Sequence, residues 1–148
     1  MLKYALIPLL PFTGFLIAGL FGKYLKERAA IPAVAGVFGA FVFALSALVD
    51  VMNGILVDEN LYSWITIGNL NITVGFQIDQ LTAVMLMVVT TLSTLIHIYS
   101  IGYMHEDVRF KNDPGRFRRF FVFLNLFIAA MMILVSGDSY LMLFVGWE

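Results

Sequence analysis

The sequence predicts an all-α membrane protein with four complete transmembrane helices, the start of a fifth, and a small extracytoplasmic β-hairpin between spans two and three. Three observations predict it. Of 148 residues, 61% are hydrophobic and 13% are charged, against about 45–50% and about 25% in soluble domains. Mean hydropathy is +0.91, and a domain of this size has too little interior to hide that much apolar surface from water. The apolar residues also fall in blocks near the roughly 20 residues that a helix needs to cross a hydrocarbon core. A soluble enzyme, a nucleic-acid-binding domain and a disordered chain are excluded.

The first span is expected at residues 4–21, which carry no charge. Pro8 and Pro11 lie in its first half, so an irregular or kinked outer turn is expected. A signal peptide is a poor match, because one Lys precedes the block and no small-residue cleavage site closes it. Lys23, Lys26, Glu27 and Arg28 end the span. The second is expected at 31–49, with Pro32 near its first helical position. Gly36, Ala40 and Ala44 share one face at four-residue spacing, and Ala33, Ala40 and Ala47 recur at seven. Small residues in such rows admit a neighbouring helix backbone.

The segment 64–78 reads differently. Trp64-Ile65-Thr66-Ile67 and Leu70 through Ile78 alternate apolar with polar residues around Gly68-Asn69, a two-residue turn suited to a hairpin. That register sets Ile67 opposite Leu70 and Ile65 opposite Ile72. The third span is expected at 81–103 with Asp79 as its N-cap, and the fourth at 120–135. Ser136 to Ser139 form a tight turn, and the stretch 140–148 stops too soon to cross a membrane at 1.5 Å per residue. The sequence is expected to end inside its own fifth span.

Eight of the nine Lys and Arg residues fall in the first and third connections, and only Lys3 lies elsewhere. The positive-inside rule then places those connections in the cytoplasm, with the N-terminus, hairpin and Ser136–Ser139 turn outside. Glu106, Asp107 and Asp113 dilute the Arg-rich third connection, which reads as a topology signal rather than a lipid or nucleic-acid patch. With a net charge of −1, no long-range field steers nucleic acid to the chain. The expected surroundings are the lipid bilayer, with no nucleic acid.

Glu148 is the acid deep within an apolar stretch. Nine residues beyond Ser139 it lies about 13–14 Å in, near the bilayer midplane. A carboxylate there is costly and functional by default, with a partner expected; the competing reading is a frayed end that reaches water. His97 in the third span is suited to proton relay near neutral pH, or to a single structural hydrogen bond. Thr90, Thr91, Ser93 and Thr94 either line a hydrated path or bond back to their own helix. Asn125 reads as interhelical glue, and Asp79 and Asp138 as caps at helix starts. His105 carries no specific signal. The absence of cysteine excludes disulfides, iron–sulfur ligation and Cys-based zinc sites. No phosphate loop, dinucleotide fingerprint, nucleophile–base pair or metal-ligand cluster appears in the sequence. No cofactor or metal site is therefore expected in this chain.

Five motifs occur in one order: Ile78-Asp79-Gln80-Leu81-Thr82, His97 through Met104, Arg119-Phe120-Phe121, Leu124-Asn125-Leu126-Phe127 and Gly146-Trp147-Glu148. Together they resemble the N-terminal part of the chain L family of bacterial complex I, the NADH–quinone oxidoreductase, whose mitochondrial counterpart is NADH dehydrogenase subunit 5. The resemblance implies an antiporter-like, proton-translocating subunit of the membrane arm in a bacterial inner membrane. It implies that NADH, flavin, iron–sulfur clusters and quinone belong to other subunits, and that the partners are other membrane-arm subunits, especially the neighbouring antiporter-like one. It also implies that Glu148 is a proton-channel carboxylate paired with a Lys on a later helix. Members of the family are about four times longer, so the sequence is expected to be a fragment. Two other readings compete: the large subunit of a multisubunit sodium/proton antiporter or a hydrogenase- or dehydrogenase-linked relative, and a small four-span structural or assembly protein.

Overall fold

The computed structural model describes residues 2–68, 70–111, 113 and 115–148. Helix α1 (Leu2–Leu25) leads through a short 3-10 turn, Lys26–Ala29, into α2 (Ala30–Met52). A two-stranded antiparallel sheet follows, with β1 (Val57–Ile67) and β2 (Leu70–Ile78). Then come α3 (Gln80–Lys111), α4 (Gly115–Ser136) and α5 (Tyr140–Trp147). Among the described residues, α1 to α4 are long and apolar enough to cross a membrane. The chain is a multi-pass membrane protein.

Helix α1 is continuous through Pro8 and Pro11, so of the irregular or kinked outer turn that the sequence predicts, no break in the helix is present. The prolines remove two amide donors but coincide with the tightest contact of α1 with α2. A Cβ placed on Gly36 would lie 2.6 Å from the Leu10 carbonyl oxygen and 3.5 Å from the Pro11 Cα. Neighbouring helices tolerate such prolines by packing around them. Pro32 lies in the first turn of α2, where amides have no intrahelical acceptor to lose. The small-residue rows do face inward: Ala33, Gly36, Ala40, Ala44 and Ala47 are all buried.

The hairpin is longer than expected. Ile67 pairs with Leu70 and Ile65 with Ile72, as the alternation indicates, but β1 begins at Val57 rather than residue 64. Register shifts between Asn60 and Tyr62, and between Ser63 and Ile65, leave Leu61 and Trp64 as extra residues. Each extra residue reverses the alternation locally, which conceals the first half of the strand. Gly68 takes φ +58°, as a tight hairpin turn requires; Asn69 lies outside the described residues. Val57 and Ile78 are buried in the core with Ala44, Ala47, Leu86 and Met132, so the base of the hairpin is anchored in the bundle.

Helix α3 extends eight residues past its apolar block. At 1.5 Å per residue its 32 residues span roughly 48 Å, more than a hydrocarbon core. The basic residues Arg116, Arg118 and Arg119, expected in a loop, belong instead to the first turns of α4. Asp113 holds that start: its Oδ1 accepts the Gly115 N–H at 3.0 Å and its Oδ2 accepts from Arg119 at 2.6 Å.

Candidate functional site

Thr90, Ser93, Thr94, His97 and Ser100 are all buried. Their spacing puts them on one face of α3, a polar stripe in an otherwise apolar bundle. Much of it is satisfied locally. Thr90 donates to the Leu86 carbonyl at 2.7 Å and Thr94 to the Thr90 carbonyl at 2.8 Å.

His97 is the exception. Its Nδ1 lies 2.8 Å from the Ser93 carbonyl oxygen. A carbonyl only accepts, so Nδ1 carries the proton and Nε2 presents a lone pair. That Nε2 is buried without a hydrogen-bond partner among the described residues. The ring lies 6.1 Å from that of Phe121 on α4. One turn on, Asn125 donates from Nδ2 to the Phe121 carbonyl at 3.1 Å, and its buried Oδ1 has no partner among the described residues. Among the described residues Asn125 makes no hydrogen bond across helices, where the glue reading expects one. It abuts Gly14 of α1, where a Cβ would stand 2.9 Å from Oδ1. Phe121 thus joins two under-satisfied polar groups, by its ring on one side and its carbonyl on the other.

The carboxylates occupy three different settings. Asp79 Oδ1 accepts the Thr82 N–H at 2.7 Å at the start of α3, in N-cap geometry. That backbone hydrogen bond, opposed by burial, holds its carboxyl below the usual range. Asp138 is not the cap of α5, contrary to expectation. Ser139 takes that position, accepting from the Met142 N–H at 3.4 Å. Asp138 Oδ2 instead accepts from the Thr73 hydroxyl at 2.9 Å, while Ser139 Oγ donates to the Thr73 carbonyl at 3.2 Å. Adjacent Ser and Asp compete for one cap, and the sheet draws the Asp away. Glu148 follows the end of α5, its N–H on the Phe144 carbonyl at 3.0 Å and its side chain exposed.

Sequence reasoning missed the cluster of Lys3, Tyr4 and Asp50. Lys3 forms an ion pair with Asp50, and the Tyr4 hydroxyl donates to the same carboxylate at 2.9 Å. The signal was available: residues 3 and 50 are nearly equidistant from the α1–α2 turn, so an antiparallel pair brings them together. Among the described residues no group of three or more His, Cys, Asp or Glu side chains is placed to hold a metal ion.

Residues 64–121 match the family model described as NADH-ubiquinone oxidoreductase (complex I), chain 5 N-terminus. That interval holds the distal hairpin, the polar stripe and Phe121. Over 100% of its length the chain is 39% identical to the NADH-quinone oxidoreductase subunit L of Neisseria meningitidis serogroup A, covering 22% of that protein. It is 45% identical over 98% of its length to the NADH-ubiquinone oxidoreductase chain 5 of Cryphonectria parasitica, covering 21%. The corresponding figures for chain 5 of Arabidopsis thaliana are 40%, 98% and 21%. The chain spans about a fifth of the length of these relatives.

Proposed function

We propose that the chain belongs to the complex I chain 5 family, also named NADH-quinone oxidoreductase subunit L, and that its complete protein is a proton-translocating membrane-arm subunit of NADH:quinone oxidoreductase that couples quinone reduction to proton pumping. The likeness along the whole chain to subunits of that oxidoreductase carries the reading. In it NADH, flavin, iron–sulfur clusters and quinone reside in other subunits. The partners are other membrane-arm subunits, the neighbouring antiporter-like one foremost.

The basic end faces the cytoplasm of a bacterial inner membrane, with the N-terminus and hairpin outside. Lys23, Arg28, Arg116, Arg118 and Arg119 support this, since all lie beside the α1–α2 or α3–α4 connection. Lys3, the basic residue at the other end, is neutralised by Asp50.

Glu148 is the proton-carrying carboxylate. Gly146 packs on Ala130 and Leu134 of α4, so Glu148, two residues further along an antiparallel helix, approaches the middle of that span. A lone charge at this depth costs about 2.5–3.5 kcal/mol on insertion scales. In this reading the carboxylate at that depth needs a cationic partner in the complete subunit. A Lys on a later helix of the complete subunit supplies that cation. His97 is the relay toward the basic side. Its Nε2, without a partner among the described residues, accepts a proton, and its Nδ1–H is held by Ser93.

Glu148→Gln in the complete subunit tests this reading. It keeps shape and hydrogen bonding but cannot ionise. The complex should assemble while the proton-to-electron ratio, measured in vesicles, falls. An unchanged ratio would make Glu148 a structural group.

A further inference from the structure

A cavity of about 940 Å³ opens at the basic end, between the end of α1, the 3-10 turn, α3 and the start of α4. Lys23, Glu27, Arg28, His105, Phe117 and Arg118 are on its wall. The charges at this end divide sharply. Arg116 is paired with Asp107 at 2.8 Å and Arg119 with Asp113 at 2.6 Å, and none of these four lines the cavity. Lys23, Arg28 and Arg118 do line it, and none has an ion-pair partner among the described residues. The one acid on the wall among the described residues, Glu27, is 3.7 Å from His105. Among the described residues, three cations without an ion-pair partner therefore face one carboxylate.

The position of Arg118 depends on α1. A Cβ on Gly22 would lie 2.5 Å from the Arg118 Cδ and 2.7 Å from its Cγ. The aliphatic stem can lie against the α1 backbone because residue 22 is glycine. Beneath the cations the wall is apolar: Phe117 is buried, and its ring lies 5.0 Å from that of His105. The approach is apolar too. Ile17, Leu20, Phe21 and Tyr24 are exposed at helical spacing along one face of α1, and Tyr24 lines the cavity.

We propose that this cavity binds the phosphate of an anionic phospholipid headgroup, with the acyl chains lying along the Ile17–Tyr24 face. Basic pockets between membrane helices suit anionic headgroups. A free phosphate would gain from the same cations but not from the apolar approach, which leads in from the lipid-facing side.

The test uses the complete subunit in its complex, reconstituted in phosphatidylcholine nanodiscs that contain a photoactivatable phosphatidylglycerol. Label should appear on peptides carrying residues 22–28 and 115–118. Lys23→Gln and Arg28→Gln, both at exposed positions, should each weaken binding roughly fivefold, as expected for one charge near a membrane surface. Gly22→Val should weaken it too, by displacing Arg118. Arg116→Gln should leave the labelling unchanged. Unlabelled phosphatidylglycerol should compete, and inorganic phosphate should not. Labelling that ignores Lys23→Gln and Arg28→Gln overturns the site. Equal competition by inorganic phosphate overturns the lipid as its source. Pumping plays no part in the readout, so this result is independent of the fate of the Glu148 assignment.

Discussion

Gly146 and Leu134 hold α5 against α4 without side-chain mediation: a Cβ on Gly146 would lie 2.6 Å from the Leu134 backbone nitrogen and 2.8 Å from the Ala130 carbonyl oxygen. Two main chains cannot yield as a flexible side chain would. Gly146→Ala should therefore force α5 outward, at an overpacking cost of about 1–3 kcal/mol, and move Glu148 with it. Gly102 is the internal control, since among the described residues nothing lies within 4 Å of its Cβ position. Gly102→Ala should be neutral or stabilising, because Gly costs about 1 kcal/mol relative to Ala inside a helix. Thermal melting of the complete subunit carrying each substitution should separate them, Gly146→Ala melting lower. Equal melting temperatures would mean that the α4–α5 contact is not held by Gly146.

Residues whose local pattern carries the structural cause were legible in the sequence. The spans follow from apolar length, and the Ile65–Ile72 and Ile67–Leu70 pairs follow from strict alternation next to a two-residue turn. The Asp79 carboxylate lies where helix-start chemistry puts it. Legibility failed where the cause is non-local. Leu61 and Trp64 break the alternation because bulges do. The charged end of α3 stays helical because backbone hydrogen bonding does not stop where hydrophobicity stops. Asp138 leaves its cap for Thr73, 65 residues away in sequence. The hydroxyls of α3 are visible in the sequence, but which of its faces is buried depends on α2 and α4, and the free Nε2 of His97 depends on what those helices lack.

Asn125 should prove cheap to replace structurally. Interhelical hydrogen bonds in membranes average about 0.6 kcal/mol, and Asn125 makes none among the described residues while leaving Oδ1 unpartnered. Removing a buried unsatisfied acceptor with a side chain of similar size is close to neutral. Asn125→Leu should thus assemble at parental levels, as judged by subunit content of purified complexes. A loss of assembly would show that Oδ1 bonds to a partner in the complete protein.

The orientation is tested by chemistry at two exposed positions. Thr66 is exposed in β1 and Glu106 near the far end of α3. Thr66→Cys should react in intact cells with a membrane-impermeant maleimide added outside. Glu106→Cys should react only after the membrane is opened. These 148 residues contain no cysteine, and the complete subunit without either substitution serves as the labelling control. The reverse pattern would invert every sidedness assignment, including the direction of the relay proposed for His97.

His97 gives the sharpest division between structure and function. Its ring fills a fully buried position beside Phe121, and its Nδ1–H is committed to the Ser93 carbonyl. A purely structural role needs those two features and has no use for Nε2. His97→Phe keeps the ring but removes both nitrogens, and the stranded Ser93 carbonyl remains bonded within its own helix, so the complex should still assemble. His97→Asn retains a donor short enough to reach back along the helix but offers no titratable nitrogen. If Nε2 relays protons, both substitutions should slow the proton-transfer step by at least about 100-fold, the lower end of what a positioned acid–base group contributes. Time-resolved acidification in vesicles, compared with electron transfer in the same samples, reads that step. A structural histidine gives a different split: His97→Asn pumps like the parent and His97→Phe loses only stability. Parental pumping in both variants would remove His97 from the proton path.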